Sequence, residues 1–274
     1  MKLSEHPCFS ESAHGQFGRL HIPCAPRCNF DCAFCGRGMD DGATRLPGRA
    51  MQIVRPDEAV DYVRKRLACH PEIRVLGVAG PGEPLYNPET FEVLALLRRN
   101  FPDLGLCLGT NGFLLPENAA RLRSLGVETL TVTVNALRPE TGAQLNDHIL
   151  DERGDRLTGI EAAREAIARQ LRGVELAARA GMTVKVNTVL VPGINDGELL
   201  GIARAVHERG AAIMNVMPLK PAGRLSGWPS PSAEALRSAR DELSTILPQF
   251  RRCAQCRADA CGLIGEGEPG GCVK

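Results

Sequence analysis

The sequence has few of the features that mark nucleic-acid-binding, membrane or exported proteins. It contains one Trp and two Tyr, and its 33 basic and 32 acidic residues leave a net charge of +1. We therefore expect neither a base-stacking surface nor a strong electrostatic attraction to nucleic acid. No apolar run approaches the roughly 18 residues of a membrane span, and the N-terminus lacks the apolar stretch of a secretory signal. These absences predict a cytoplasmic chain without nucleic-acid or membrane partners.

Cysteine, by contrast, is abundant, with 11 residues in a chain of 274. In a cytoplasmic chain this number suggests metal or redox chemistry rather than disulfides. Three of them, Cys28, Cys32 and Cys35, lie within eight residues, a spacing expected by chance roughly 0.02 times in such a chain. Three thiolates can hold three irons of a four-iron cubane and leave the fourth iron open to another ligand. The triplet therefore predicts a cluster with an open iron.

Beyond the triplet, strand-like and helix-like segments alternate. This order predicts parallel strands joined by right-handed helical crossovers, and six such units favour an α/β fold with a partial (βα)6 TIM-like barrel over a flat sheet. The predicted strands are 20–24, 73–79, 104–108, 129–135, 184–191 and 212–217, and the predicted helices are 56–67, 88–100, 117–125, 164–180, 196–208 and 233–247.

Small and polar residues follow five of the predicted strands. Because active sites on barrels of this type gather at the carboxyl ends of the strands, these residues favour a binding site over simple turn-forming roles. They are 80–84, 110–112, 135, 191–196 and 215–218.

The three-then-two spacing of the triplet, directly after a first strand, resembles the signature of radical S-adenosylmethionine enzymes. The resemblance implies a radical S-adenosylmethionine barrel, a [4Fe-4S] cluster on Cys28, Cys32 and Cys35 as the catalytic centre, and S-adenosyl-L-methionine on the open iron. It places Glu83 as the acceptor of the cofactor's amino group. The expected cofactor-binding residues are Gly80, Gly82, Glu83, Thr110, Asn111, Asn135 and Asn187.

Within that superfamily the chain resembles the NifB family, in its short stand-alone form, over roughly residues 6 to 265. The motifs that carry the resemblance are 6–11, 79–85, 106–112, 185–190, 192–196 and 253–260. NifB enzymes build the carbide-centred eight-iron precursor of the nitrogenase cofactor. The resemblance therefore implies an enzyme that fuses two [4Fe-4S] clusters around a carbon taken from a methyl group of S-adenosylmethionine.

Two further [4Fe-4S] substrate clusters need protein ligands in such a reaction. By resemblance, Cys8, His21 and Cys107 hold the first, and Cys253 and Cys256 hold the second. Imidazole among thiolates is a more labile iron ligand, which suits a cluster that is handed over. The implied partners are an iron–sulfur cluster donor, a reductant, and a downstream assembly scaffold or carrier. The recipient is nitrogenase or a nitrogenase-like reductase.

The same residues also allow simpler interpretations. His21 is a core histidine if it is not a ligand, and Cys107 a small buried apolar residue. A structural zinc site could form from Cys253, Cys256, Cys261 and Cys272. The whole chain could instead be a radical enzyme for a small molecule, or an iron–sulfur carrier. The retained cofactor motifs weigh against a carrier, and the additional predicted cluster ligands weigh against a small-molecule enzyme.

The chain departs from the family just after the triplet. NifB enzymes have a Cys-x-Asn-Glu-x-Arg-Pro-Gly motif there, whereas this chain retains only Pro47 and Gly48 and carries Asp41 in place of the cysteine. Three alternatives remain open: Asp41 binds iron weakly as a carboxylate, Cys24 replaces the missing thiol, or the first substrate cluster has fewer protein ligands.

We expect three regions along the chain. Residues 1–18 form an N-terminal cluster-binding extension, residues 19–228 the partial barrel, and residues 229–274 a helix with a cysteine-bearing tail. The last ten residues are rich in Gly and are expected to be disordered.

Overall fold

The computed structural model describes residues 2–42, 44 and 46–264. Its regular elements in chain order are β1 (Gly18–His21), β2 (Phe30–Cys32), β3 (Gly38–Met39), β4 (Arg49–Ala50), α1 (Pro56–Cys69), β5 (Ile73–Val78), α2 (Pro88–Asn100), β6 (Gly105–Thr110), α3 (Leu115–Ser124), β7 (Val127–Thr133), α4 (Pro139–Leu145), β8 (Asn146–Leu150), β9 (Arg156–Thr158), α5 (Gly159–Arg179), β10 (Thr183–Leu190), α6 (Leu199–His207), β11 (Ile213–Pro218), α7 (Ala233–Leu243) and β12 (Cys261–Gly262). Short 3₁₀ turns at Leu3–Glu5, Pro84–Tyr86, Asp196–Glu198 and Gly223–Leu225 complete the list.

The core of the molecule is a seven-stranded sheet in the order β11-β10-β7-β6-β5-β1-β12. All strands from β1 to β11 in this sheet run parallel, and β12 pairs antiparallel with β1. Helices follow the parallel strands and cover one face of the sheet, as the right-handed crossover rule requires. The predicted partial barrel of six strand–helix units is confirmed.

The helices begin and pack as their sequences dictate. In α2, Pro88 occupies the first turn, where its missing N–H costs nothing. Phe91, Leu94 and Leu97 recur every three residues and bury one face of that helix against the sheet. The helix ends at Asn100, where the chain turns into β6. This regularity explains why the predicted bounds of α2 match the observed ones.

Two small sheets were not predicted. In the first, β2 pairs antiparallel with β8, and β8 with β9. The second is the short parallel pair β3 and β4. Because β2 contains Cys32, the first small sheet holds the triplet segment above the carboxyl ends of the large sheet. The tail also enters the large sheet through β12, and α7 ends at Leu243, four residues before the predicted bound.

Among the described residues, no helix is long and apolar enough to cross a membrane. The Gly-rich end, residues 265–274, for which disorder was predicted, lies outside the described residues, as does Cys272. The expectation that the cysteines serve metal or redox chemistry rather than disulfides is wrong for Cys69, at the end of α1, which is disulfide-bonded.

Candidate active site

A cavity of about 370 Å³ opens at the carboxyl ends of the parallel strands. All residues predicted to bind metal line it, although they come from the N-terminal segment, the barrel and the tail. They are Cys8, His21, Cys28, Cys32, Cys35, Cys107, Cys253 and Cys256. Five of the predicted cofactor-binding residues line it too, namely Gly82, Glu83, Thr110, Asn111 and Asn187.

The triplet cysteines lie on a loop that is fixed by backbone bonds. The Cys35 N–H donates to the Cys32 carbonyl, and the Ala33 N–H donates to the carbonyl that ends α4. The Arg37 guanidinium donates to the Cys28 sulfur and to the Phe30 carbonyl. Burial raises the pKa of the Cys28 thiol to about 11, and the nearby Arg37 charge opposes that rise. A guanidinium in this place favours the thiolate that iron requires.

Gly82 and Glu83 are clamped to the segment that leads into the triplet. The Gly82 N–H donates to the Ala25 carbonyl at 2.5 Å and the Glu83 N–H to the Arg27 carbonyl at 2.9 Å. A Cβ at position 82 would lie 2.1 Å from the Arg27 oxygen, so only glycine permits this close approach. Gly80, in contrast, does not line the cavity; with φ +136° it forms the turn after β5.

Glu83 is buried and holds the loop after β6. Its carboxylate accepts hydrogen bonds from the Leu85 N–H, the Thr110 hydroxyl and, at 2.6 Å, the Asn111 N–H. Burial raises the pKa of Glu83, and these donors oppose the rise. Since a carboxylate offers about four acceptor positions, about one remains for a ligand. Glu83 therefore orders the Thr110–Asn111 loop in addition to facing the cavity.

The first predicted cluster site combines Cys8 from the N-terminal turns, His21 at the end of β1 and Cys107 on β6. His21 Nδ1 lies 3.0 Å from the Arg257 carbonyl, which can only accept, so Nδ1 carries the proton and Nε2 keeps its lone pair. Burial lowers the pKa of His21 to about 4 and keeps the ring neutral. The Arg257 carbonyl thus fixes the orientation of the His21 ring and leaves Nε2 free to accept, as in a histidine that binds a metal.

Gly77 on β5 gives the His21 ring its space. A Cβ there would lie 3.2 Å from His21 Cδ2 and 3.7 Å from Nε2. Burial raises the pKa of the Cys8 thiol to about 12 and raises that of Cys107 as well, while the Lys185 charge opposes both rises. Both thiols are thus protonated in the absence of a metal, and a metal that bound them would displace those protons.

The second predicted site, Cys253 and Cys256, lies on a tail segment anchored by a buried arginine. Arg257 pairs with Asp40 and with Asp259, each at 2.9 Å. This network joins the tail to the loop that follows the triplet. The Cys256 sulfur accepts a hydrogen bond from the Arg19 guanidinium at 3.2 Å, so this segment is also held against β1.

The two substitutes considered for the missing family cysteine lie away from the cavity. Cys24 is buried in the apolar core, its sulfur 4.0 Å from the Thr90 hydroxyl. β1 ends at His21, so Cys24 lies beyond the strand and not at its end as predicted. Asp41 is exposed and is not part of the cavity wall, although Pro47 and Gly48 are.

Among the described residues, no three cysteine sulfurs lie close enough together to share one metal ion. In a tetrahedral zinc–thiolate site the sulfurs lie about 3.8 Å apart, given a Zn–S bond of about 2.3 Å. Within the part of the chain that the structure describes, only Asp31, Asp147 and His148 form a trio with ligand atoms within 4.8 Å of one another. Cys261 lies buried in β12, outside the cavity. The described cysteines of the suggested zinc site therefore do not form one.

Asn135, which was predicted in the cofactor pocket, does not line the main cavity, and its hydrogen bonds hold a turn. Its side-chain oxygen accepts from the Val189 N–H, and its carbonyl accepts from the Asn195 side chain. Asn195 also donates to the Val189 carbonyl. Asn135 borders a second, small cavity that adjoins the main one and shares with it Phe30, Cys32, Asn111 and Thr133. The loop after β10 thus supports the rim of the main cavity, but its polar residues do not line that cavity.

Three buried residues of the cavity region were missed by sequence reasoning: His6, Arg19 and Lys185. His6 and Lys185 line the cavity, and Arg19 contacts the Cys256 sulfur. The His6 Nδ1 accepts from the Cys8 N–H, and its Nε2 has no hydrogen-bond partner among the described residues. A strong cation within the apolar strand predicted at 184–191 was the available signal for Lys185, whereas Arg19 precedes the strand predicted at 20–24.

The sequence is similar to a family of known chemistry. The model of the Radical SAM superfamily matches residues 22–206. The chain is 44% identical, over 97% of its length, to the FeMo cofactor biosynthesis protein NifB of Klebsiella pneumoniae, and spans 58% of that protein. It is 40% identical, again over 97% of its length, to the protein of the same name from Methanocaldococcus infernus, and spans 88% of it.

Solved structures of low sequence identity share the fold. A radical SAM methyltransferase from Sphaerobacter thermophilus superimposes with a TM-score of 0.57 at 21% identity, covering 86% of this chain and 64% of its own. Methylornithine synthase (PylB) gives 0.56 at 12% identity, covering 89% and 65%. The barrel, the superfamily match over the triplet and the two relatives agree: the chain belongs to the radical S-adenosylmethionine superfamily and, within it, to the NifB family.

Proposed function

We propose that this chain fuses two [4Fe-4S] substrate clusters, which bring eight sulfides, with a methyl-derived carbide and a ninth sulfide from an external inorganic sulfur donor into an [8Fe-9S-C] precursor for nitrogenase or a nitrogenase-like reductase. The observation that carries the proposal is the single cavity that all three predicted ligand sets line. A generic small-molecule enzyme needs only the triplet, and a carrier needs no cofactor motifs. In this chain the cofactor motifs and the additional predicted cluster ligands lie around the same cavity.

The residues present fit the resident cofactors. Cys28, Cys32 and Cys35 offer three thiols to a cubane on one loop, and their sulfurs do not all lie within 4.8 Å of one another, as three ligands of one zinc ion would. When bound, the [4Fe-4S] cluster and S-adenosylmethionine supply a reducing electron, a methyl group and a radical that abstracts hydrogen. Gly82, Glu83, Thr110, Asn111 and Asn187 would bind and orient S-adenosylmethionine.

The wall of the cavity suits reactive chemistry because much of it is apolar. Apolar side chains exclude water, strengthen the electrostatic interactions inside and prevent side reactions of radicals. Those that line the cavity include Phe34, Leu46, Val75, Val78, Val189, Phe250 and Ile264.

We propose that the first substrate cluster has three protein ligands, Cys8, His21 and Cys107. This choice follows from the positions of Cys24, which is buried in the core, and Asp41, which is exposed outside the cavity wall. The second substrate cluster is assigned to Cys253 and Cys256. An imidazole and a reduced number of thiolates make the first cluster easier to release into the product.

The same reasoning implies partners. Substrate clusters come from an iron–sulfur donor, the electron comes from a reductant, and the product passes to an assembly scaffold or carrier. We also retain, as part of the proposal, the division of the chain into an N-terminal extension (1–18), a barrel (19–228) and a cysteine-bearing tail (229–274).

Anaerobic reconstitution with iron and sulfide tests the function. We expect about 12 irons per chain, for three four-iron clusters. Addition of S-adenosylmethionine and dithionite should give both S-adenosylhomocysteine and 5′-deoxyadenosine. Cys107→Ala should lose about four irons. One cluster's worth of iron in the unaltered protein would refute the proposal.

A further inference from the structure

Lys185 is a buried cation without a buried anion. It lies on β10, is 3% exposed and lines the cavity. Among the described residues, no carboxylate lies within 4.0 Å of its ammonium group, since none of the ion pairs includes it. A buried charge is costly unless it is paired or hydrogen-bonded. The contacts that the Lys185 ammonium group makes must therefore offset the cost of burying its charge, and they indicate what the residue does.

The ammonium group joins three parts of the chain. Its Nζ donates to the Cys8 carbonyl at 2.8 Å. It lies 4.7 Å from the centre of the Phe9 ring and 5.2 Å from that of Phe250, within the range of cation–π attraction. Phe9 belongs to the N-terminal turns and Phe250 to the tail, so Lys185 connects both to the barrel.

Cys8 depends on this contact because its own segment is not part of the sheet. The Cys8 N–H donates to the His6 ring, a contact within the same turn. The Cys8 carbonyl accepts from Lys185, which belongs to a central strand. The second contact therefore ties the backbone of this ligand to the barrel, where the other two ligands of the first site are located.

The sheet register places the Lys185 side chain on the side of β10 that faces the cavity. Lys185 pairs with Thr131, which pairs with Gly109, two residues beyond Cys107 on β6. These four residues all line the cavity: Cys107, Gly109, Thr131 and Lys185. The positive charge thus faces the space in which thiolates of the first site would bind iron.

We propose that Lys185 is a positioning residue for the first substrate cluster. It fixes Cys8 opposite Cys107 and His21, and its charge offsets the thiolates and sulfides that the site acquires on binding. Net charge and hydrogen bonds near the sulfurs set the stability and potential of such clusters. The inference rests on the proposed function, because it assigns a residue to one of the substrate sites.

The test compares Lys185→Met, which removes the charge and the donor, with Lys185→Arg, which keeps both. Lys65→Met, on the exposed face of α1, controls for the loss of a lysine elsewhere. Iron and sulfide per chain are counted after anaerobic reconstitution, 5′-deoxyadenosine formation is measured, and circular dichroism of the iron-free proteins checks folding.

We expect Lys185→Met to lose about four of about 12 irons and to retain 5′-deoxyadenosine formation, because the triplet cluster is untouched. Lys185→Arg should restore the iron, and Lys65→Met should match the unaltered protein. If Lys185→Met does not fold, Lys185→Gln, which keeps an amide donor without charge, must show the same loss.

The outcomes separate the two hypotheses. If the unaltered protein and Lys185→Met both bind three clusters' worth of iron, the role of Lys185 is overturned but the proposed function is not. Where Lys185→Gln replaces Lys185→Met, its iron content is judged in the same way. Equal iron loss in Lys185→Met and Lys185→Arg would also overturn it, since a charged donor would then make no difference. One cluster's worth of iron in the unaltered protein would overturn the proposed function, and the inference with it.

Discussion

Gly77 is the position where a single methyl group should disturb the first substrate site most selectively. The added Cβ of Gly77→Ala would lie 3.2 Å from His21 Cδ2 and 3.7 Å from Nε2, so the ring must shift by a few tenths of an ångström. Overpacking of this kind costs roughly 1–3 kcal/mol. Because the ring is the flexible partner, we expect the low end, about 1 kcal/mol of unfolding free energy.

The effect on iron should be larger than the effect on stability. Ligand sites must be held within about 0.5 Å of productive geometry, and the shift acts directly on the atom that would bind iron. Gly77→Ala should therefore lose about four of about 12 irons. Iron analysis after anaerobic reconstitution and urea unfolding of the iron-free protein are the two assays.

Gly109→Ala is the matched control on the neighbouring strand. It also lines the cavity, but its Cβ would meet only Ala79, at 3.5 Å, an ordinary van der Waals contact. We expect full iron binding and little change in stability. If Gly77→Ala kept its full iron, or if Gly109→Ala lost as much, the placement of His21 as a ligand would be refuted.

Three further predictions follow from packing and charge. Gly82→Ala places a Cβ 2.1 Å from the Arg27 carbonyl oxygen, a backbone atom, so urea unfolding should show a loss of about 3 kcal/mol, with 5′-deoxyadenosine formation abolished. Cys24→Ala should keep its full iron and lose about 1 kcal/mol of stability, and loss of iron would restore Cys24 as a ligand. Arg257 and Thr44 lower the pKa of Asp40, so its stabilising contribution is present above its unfolded pKa of about 3.9 and is lost as pH falls below it. The difference in unfolding free energy between the unaltered protein and Asp40→Asn should shrink between pH 6 and pH 3, and a constant difference would contradict the pairing.

The large sheet was predictable because its strands are apolar runs between turn-forming residues. The strand predicted at 73–79 is observed at Ile73–Val78, and that at 184–191 at Thr183–Leu190. The smaller strands carried no such signal. Arg156–Thr158 is three residues long and mostly exposed, and Cys261–Gly262 is only two, so their pairing depends on tertiary contacts alone.

For the site, the sequence indicated which thiols converge but not what holds them. Lys185 stands out in the sequence as a cation within an apolar strand, but only the fold shows that its ammonium group lies between the Phe9 and Phe250 rings. The Arg257 carbonyl that orients His21 is a backbone atom 236 residues away, which no motif can reveal. The strand predicted at 20–24 extended to Cys24, whereas β1 ends at His21, because local sequence defines the ends of an element poorly.

The central claim is that a carbon from S-adenosylmethionine becomes part of a fused cluster. In the most direct measurement, the reconstituted protein receives S-adenosylmethionine labelled with ¹³C in its methyl group. The isolated cluster is then examined by electron–nuclear double resonance. The account predicts ¹³C coupled to the iron centre with no remaining methyl protons. Label found only in a methylated small molecule, with the iron left in separate four-iron clusters, would contradict it.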